Sequence, residues 1–389
     1  MIDEATRIFI EEHADDDARG LVLQASRYPE VDMRVAATQI EGRRVAKNKL
    51  PAWAAVQGLI YPVRLSMEQC SSEATAQYKV SLVQGTRLAD LTGGFGIDCS
   101  YMSEHFSQTT YVERNEELCS IATHNFALLN KVIEVRQGQC EEVLASLPEQ
   151  DWIFLDPARR DRGGNKVVAL SDCEPDVCAL ESLLLEKSAR VMVKCSPMLD
   201  ISQAISQLRS VTEVHVVAVG NECKELLFIL ERDKGGGDIV MHTVNLHGGG
   251  RQTFDFRLKA EGEAVCSYAS QLGQYLYEPN SALMKAGCHR LPAAHYGLAK
   301  LHPNTHLYTS DVLVNDFPGR VFKVDSYYGF SKKELKGLAC LQANLAVRNF
   351  PEHVDTLRKR LKISDGGATY LFATTLYDGS KVLVSCVKV

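Results

Sequence analysis

From Arg87 onward, short apolar runs alternate with longer amphipathic stretches, and this alternation constrains the fold more than any other feature of the chain. The runs are RLADL (87–91), TTYVE (109–113), VIEVR (132–136), DWIFLD (151–156), RVMVKC (190–195), VTEVHVVAVG (211–220) and ELLFILE (225–231). Helix-length connections separate the first six. Parallel strands need crossovers of that length, so these six predict a parallel sheet with covering helices. Only Asn221 to Lys224 joins the last two, which predicts a hairpin and a reversed seventh strand.

Residues before this unit read as helical. Ser66-Met-Glu-Gln69 matches a capping box and predicts a helix from there to about Val83. Lys234-Gly-Gly-Gly-Asp238 is a glycine break, with a second at Gly248-Gly-Gly250. Residues 239–275 read as strand-rich, and Asn280 to about Leu298 as helical. The last stretch reads as strand (GRVFKVDS), helix (SKKELKGLACL), strand (NLAVRNF), helix (PEHVDTLRKRL) and two strands around Asp378-Gly379. That order predicts a small α/β sandwich of ferredoxin-like kind. The expected organisation is a helical region at 1–84, a sheet domain at 85–234, a connecting strand and helix region at 235–318, and a terminal module at 319–389.

Composition narrows the class. The net charge of -6 argues against a nucleic-acid binder on the global number alone. The charge is uneven, however: Arg290 to Lys362 holds 12 Lys/Arg against 6 Asp/Glu, a local excess of +6, leaving -12 elsewhere. The 12 cysteines form no C-x-x-C pair, so they read as reduced thiols rather than a zinc ribbon. His289, His295, His302 and His306 match no metal-ligand spacing, and no metal is expected. The acidic start MIDEATRIFIEEHADDD lacks a signal-peptide pattern, and no apolar run is long enough to span a membrane. A soluble cytoplasmic protein without membrane contact is expected.

The most informative stretch is Leu88-Ala-Asp90-Leu-Thr92-Gly93-Gly94-Phe95-Gly96-Ile-Asp98, between a predicted strand and a predicted helix. Glycines there permit a tight turn and a close backbone approach to a ligand. Neither G-x-G-x-x-G nor the phosphate loop G-x-x-x-x-G-K-[ST] fits the spacing. An acidic residue opening a loop without a phosphate cradle suits a zwitterionic ligand, with Asp90 near a cationic amino group. Three further features lie at the same predicted sheet edge: Glu113, about twenty residues on, suited to ribose hydroxyls; Gln137-Gly138-Gln139-Cys140; and Asp156-Pro157-Ala158-Arg159.

Together these residues resemble the class I S-adenosylmethionine-dependent methyltransferases over about residues 68–231. The nearest likeness is to a bacterial group with a C-terminal THUMP-like domain. Its features appear here as Glu68-Gln-Cys-Ser-Ser-Glu73 with Lys79, Asn221-Glu-Cys-Lys-Glu225, Tyr277-Glu-Pro-Asn280 and Val347-Arg-Asn-Phe-Pro351. The resemblance implies a Rossmann-like seven-stranded α/β sheet, last strand antiparallel, followed by a ferredoxin-like, THUMP-like α+β module. It implies S-adenosylmethionine as cofactor, held by Asp90, Thr92, Gly93, Gly94, Phe95, Gly96, Asp98, Glu113, Arg114, Gln139, Cys140 and Asp156. Gln139 stands where an Asp often contacts the adenine amine.

The resemblance also implies catalysis by Asp156 and Pro157, which accept hydrogen bonds from a target amine. Arg159, Gln69, Lys79 and Lys194 are the candidate substrate contacts, with Gly163-Gly164 marking a mobile lid beyond Arg159. The expected reaction is methyl transfer to a base nitrogen in structured RNA such as tRNA or rRNA, with the basic C-terminal segment as the RNA-holding part. Two alternatives stay open. Cys195-Ser-Pro197 resembles the nucleophile segment of RNA uracil-C5 methyltransferases. A catalytically silent RNA- or nucleotide-binding protein is the other.

Overall fold

Strands buried on both faces lose the polar alternation of half-exposed ones, and the central runs show it. In β4 (Gln150–Leu155) every residue but Asp151 is buried. The computed structural model describes residues 2–159, 169–331, 333–338 and 341–389. The chain divides into two compact units: Met1–Thr212 with Leu227–Gly237, and Glu213–Leu226 with Asp238–Val389.

The first unit is built on β1 (Arg87–Asp90), β2 (Gln108–Glu113), β3 (Glu134–Gln137), β4 and β5 (Ser188–Cys195). All pair in parallel, with Asp90 opposite Tyr111 and Phe154, and Glu113 opposite Gln137. Parallel pairing places the ends of β1, β2, β4 and β5 at one edge. A hairpin of β6 (Val211–Val219) and β7 (Glu222–Glu231) follows. Its base belongs to this unit and gives the order β3-β2-β1-β4-β5-β7-β6. The hairpin turn is tighter than Asn221 to Lys224. Gly220 and Asn221 both have positive φ (58° and 67°), the geometry of a two-residue turn matching strand twist.

The N-terminal helices pack in two clusters, one within residues 9–40 and one against the loop and helices that flank the sheet. In α1 (Glu4–Glu12) the Asp3 carboxylate accepts from the Thr6 amide, and in α2 (Ala18–Val22) Asp17 does the same for Gly20. α3 (Met33–Lys49) follows, capped by Asp32. Trp53, from α4 (Pro51–Ala54), packs edge-on against Phe95 at 5.2 Å, with Met67, Ala76 and Ile97 in the same cluster.

The capping-box expectation is corrected. Ser66 lies inside α5 (Arg64–Gln69), and a new helix, α6 (Glu73–Val80), begins after Ser72, whose Oγ accepts from the Thr75 amide. Cys70 and Ser72 are extended (ψ near 159°), which breaks the single helix into two. Among the described residues no helix is long and apolar enough to cross a membrane.

In the second unit the hairpin tip continues into two more strands. β8 (Val240–His247) pairs in parallel with β6, and β9 (Gly250–Arg257) pairs antiparallel with β8. The expected seven strands are therefore extended by two, and β6 is not an edge strand. The same unit holds a separate seven-stranded sheet. Its strands are β10 (Tyr275–Pro279), β11 (Ala299–His302), β12 (Thr305–Ser310), β13 (Gly319–Gly329), β14 (Asn344–Arg348), β15 (Thr369–Thr375) and β16 (Lys381–Lys388). The order is β11-β12-β10-β13-β16-β15-β14, so strands from both sides of residue 319 share one sheet.

The helix expected over SKKELKGLACL is replaced, in its described part, by a 3₁₀ turn at Glu334–Gly337, with Ser331 and Glu334 bonding each other locally. The helix expected over PEHVDTLRKRL is present at Val354–Leu361. Asp378-Gly379 turns between β15 and β16, with Gly379 at φ 83°.

Candidate active site

The loop after β1 is held by backbone contacts that only glycine permits. The Gly93 amide donates to Val112 O at 2.8 Å, and a Cβ there would lie 2.1 Å from the Tyr111 ring. Gly96, at φ 85°, begins α7 (Ile97–Met102), where a Cβ would strike Phe126. Gly94 is fixed twice from β2. Its amide donates to Glu113 Oε2 at 3.0 Å, and its carbonyl accepts from the Tyr111 hydroxyl at 2.6 Å. Tyr111 escaped the sequence reading. Its spacing of two from Glu113, which puts both on one face of β2, was the available signal.

Glu113 Oε1 accepts from the Asn115 amide at 2.8 Å. Each carboxylate oxygen thus spends one lone pair on backbone and keeps another. That leaves two acceptors side by side at the end of β2, a match for vicinal ribose hydroxyls. At the end of β1, Asp90 is 1% exposed and accepts from the Thr92 amide at 3.0 Å. Burial pushes its carboxyl well above the ordinary range; the Thr92 amide opposes this, and nearby Asp98 and Asp156 add to it.

Behind the loop lies a buried ion-pair network. Asp98 sits between Lys79 Nζ at 3.2 Å and Lys194 Nζ at 3.3 Å, and accepts from Ser71 Oγ at 2.7 Å. Lys79 is 0% exposed and also donates to Ser71. Burial pushes the Asp98 carboxyl up, but Lys79, Lys194 and Ser71 outweigh it and hold the group below its usual value. Lys194 reaches on to Asp156 Oδ2 at 2.5 Å. The Asp156 amide donates to Thr92 Oγ1 at 2.6 Å. So Thr92, Asp98, Asp156 and Lys194 meet, with Lys79 and Ser71 supporting them from below. Ser71 was missed by the sequence reading, although it lies within the segment singled out there.

Other sequence candidates are placed elsewhere. The Phe95 ring is buried in the core against Trp53. Arg114 pairs with Glu174 at 2.9 Å on the surface. Gln139 is exposed at the start of α8 (Cys140–Ser146), and the Cys140 thiol is buried, its pKa pushed up to about 12. Gln69 is exposed at the end of α5, and Pro157 is buried directly after β4. Arg159 pairs through its backbone with Cys173, while its side chain and Gly163-Gly164 lie outside the described residues. Asn221 belongs to the second unit, where its amide donates to Asn245 and its side chain accepts from the Ser281 amide.

The chain is 36% identical to a candidate methyltransferase from Porphyromonas gingivalis W83, whose crystal structure matches 100% of both chains at a TM-score of 0.90. The chain belongs to the class I S-adenosylmethionine-dependent methyltransferases with a THUMP-like domain. Residues 275–318 match a ferredoxin-like domain model and residues 319–388 a THUMP domain-like model. An uncharacterized S-adenosylmethionine-dependent methyltransferase of Mycobacterium tuberculosis is 23% identical over 319 residues, covering 81% of this chain and 84% of that protein.

The donor set of this methyltransferase fits its cofactor. S-adenosylmethionine carries a sulfonium, an ammonium and a carboxylate, hence one net positive charge. Among the described residues, Asp98 and Asp156 are paired with the ammonium groups of Lys79 and Lys194, and the Asp90 carboxyl lies beside them. A Cβ on Gly94 would meet nothing closer than 3.9 Å, so the loop backbone is open at its tip. Asp90 would face the cofactor's ammonium and Glu113 its ribose.

Asp90→Asn tests the first contact. Folding raises this carboxyl's pKa, so the native state favours the protonated form. The stability it contributes is complete below the ordinary carboxylate range and is lost as the pH rises through the folded value. The unliganded variant is therefore expected to be more stable than wild type at neutral pH, on the order of 1 kcal/mol. Its affinity for S-adenosylmethionine is expected to fall about tenfold, the scale of one charge-assisted hydrogen bond. Calorimetry and thermal melts measure both, and unchanged affinity would remove Asp90 from the cofactor site.

Proposed function

We propose that the protein transfers a methyl group to a nitrogen of a base in structured RNA. The observation that carries this reading is the contrast between two candidate catalytic groups at the sheet edge. The Asp156 side chain is 38% exposed and held by Lys194. The Cys195 side chain is buried, and burial pushes its thiol well above the ordinary range despite the nearby Lys194 charge. A covalent C5 mechanism needs a thiolate. An amine methylation needs only placed acceptors.

Bound S-adenosylmethionine supplies an electrophilic methyl group on sulfur. Asp156 accepts a hydrogen bond from the target amine, and the Pro157 carbonyl accepts a second. With both hydrogens engaged, the nitrogen lone pair points out of the base plane toward the methyl carbon. Methyl transfer from sulfur to that nitrogen would free one amine proton, which the Asp156 carboxylate would take up and pass to solvent. Lys194 and the Thr92 hydroxyl hold Asp156 from its side chain and its amide. The group moves little during the reaction, which is how a prearranged site lowers the barrier.

Support for RNA comes from the THUMP-like match and the local charge excess. In the helix Val354–Leu361 the last turn carries Arg358, Lys359 and Arg360, and Lys362 follows; Lys359, Arg360 and Lys362 are exposed. Phosphate binding releases counterions, so affinity for a structured RNA is expected to fall steeply as salt rises from about 50 to 200 mM. Salt-independent binding would remove the basic segment from the argument.

The deciding experiment is mass spectrometry of modified nucleosides from a deletion strain and its parent. One N-methylated nucleoside is expected to disappear. Loss of a C5-methylated pyrimidine would move the chemistry to Cys195, and an unchanged profile would exclude RNA as the substrate.

A further inference from the structure

In the second unit one face of three adjacent strands carries a row of ligating side chains that methyl transfer does not use. Glu213 and His215, two apart on β6, share a face. His242 on β8 lies directly opposite His215, and Asp255 on β9 directly opposite His242. We infer that Glu213, His215 and His242 form a binding site for a divalent transition-metal ion, of which Zn²⁺ fits the donor set best. Asp255 orients His242 from behind.

The distances carry the inference. Glu213 Oε2 lies 3.3 Å from His215 Nε2 and 3.7 Å from His242 Nε2. A tetrahedral zinc ion, with metal–ligand bonds of about 2.0–2.1 Å, sets its ligand atoms roughly 3.3 Å apart. Two of the three edges are thus close to size already. The third joins the two imidazoles. One ligand atom from each of the three residues lies within 4.8 Å of the others. The rings are stacked with centroids 4.5 Å apart and 15° between planes, so ion binding would turn the imidazoles until both ring planes cross at the metal.

The outer partner is the second observation. His242 Nδ1 lies 3.1 Å from Asp255 Oδ1. A histidine that donates from Nδ1 to a carboxylate presents its Nε2 lone pair outward, the arrangement found behind most metal-bound histidines. Here that Nε2 is the atom facing Glu213. The charges balance as well: Glu213 and Asp255 together neutralise a divalent ion, with two neutral imidazoles completing the set. Two imidazoles and a carboxylate select zinc, nickel or cobalt over magnesium or calcium, which prefer all-oxygen shells. The site is buried at His215 (3% exposed) and open at Glu213 (38%), so the fourth position faces water. Three protein ligands with an open fourth position is the pattern of zinc sites that bind and activate water.

The test uses the full chain, freed of any histidine tag and stripped by chelator. Titration with Zn²⁺ in a calorimeter is expected to show one equivalent per chain. Glu213→Gln and His242→Gln should each weaken it at least 100-fold, and Asp255→Asn, which alters only the outer partner, about 10- to 100-fold. Cobalt substitution separates this site from the cysteines. Visible ligand-field bands without thiolate-to-metal charge transfer are expected. Absence of binding, unchanged affinity in the three variants, or a thiolate signature would overturn the site. Should a ligand variant fail to fold, the cobalt spectrum of the wild type decides alone.

Discussion

Asp156→Ala is expected to lower kcat for methyl transfer by about 10²–10³-fold, the scale of removing one prearranged polar partner from a transition state. Two features keep this loss separate from a folding defect. The side chain is more than a third exposed, and Lys194 retains Asp98 as a partner when Asp156 is truncated. Stability and S-adenosylmethionine affinity should therefore stay close to wild type, within about 1 kcal/mol. Asp156→Asn keeps an acceptor oxygen of nearly the same reach, and its rate should fall between the two. Single-turnover kinetics with the RNA identified by nucleoside profiling measures the effect. Unchanged turnover in Asp156→Ala would sink the catalytic assignment, and absence of turnover in every form would favour a silent RNA-binding protein.

Asp98→Ala is expected to cost about 3–5 kcal/mol of stability, the usual penalty for breaking a buried ion pair from one side. Lys79 would lose a carboxylate at 3.2 Å and keep the Ser71 hydroxyl, in a site with no solvent exposure. The melting temperature of the transition involving the first unit should fall by roughly 6–12 °C. Asp98→Asn, which preserves the Ser71 bond, should lose less. The pH dependence has a definite sign. Folding depresses the Asp98 pKa, so its contribution is complete above the ordinary carboxylate value and is lost as the pH falls through the folded one. Wild type should lose this stability progressively below about pH 4, and Asp98→Asn should lack that component. Equal melts for wild type and Asp98→Ala would refute the structural role. A variant that folds well but methylates slowly would show instead that Asp98 acts by positioning Lys194.

Local pattern exposed much of the site. A glycine-rich turn after a strand, a carboxylate at the end of the next strand and Asp-Pro after the fourth all depend on residues close in sequence. Their common edge follows from parallel pairing. What pattern could not supply was the interior of the network. Lys79 and Lys194 looked like surface substrate contacts because lysine is seldom buried. Each is instead buried against Asp98, from elements separated by more than a hundred residues. Phe95 and Cys140 sit within segments expected to hold the cofactor, yet their side chains turn into the core. The single helix expected across Ser66 to Val83 failed because Ser66-Met-Glu-Gln69 carries the capping-box pattern inside a helix, and the chain breaks at Cys70–Ser72. The local Ser72 cap decides where the second helix begins.

By itself, the order of residues determined the parallel sheet, the reversed last strand, the glycine-rich turn after β1 and the carboxylate at the end of β2, because each is written in spacings of a few residues. The tertiary structure alone decided that β6 carries two further strands and that residues on both sides of 319 share one sheet. It alone set Glu213, His215 and His242 within a few ångströms of one another. Pairing partners and register are chosen by long-range burial, and that information is not carried by any local stretch of the chain.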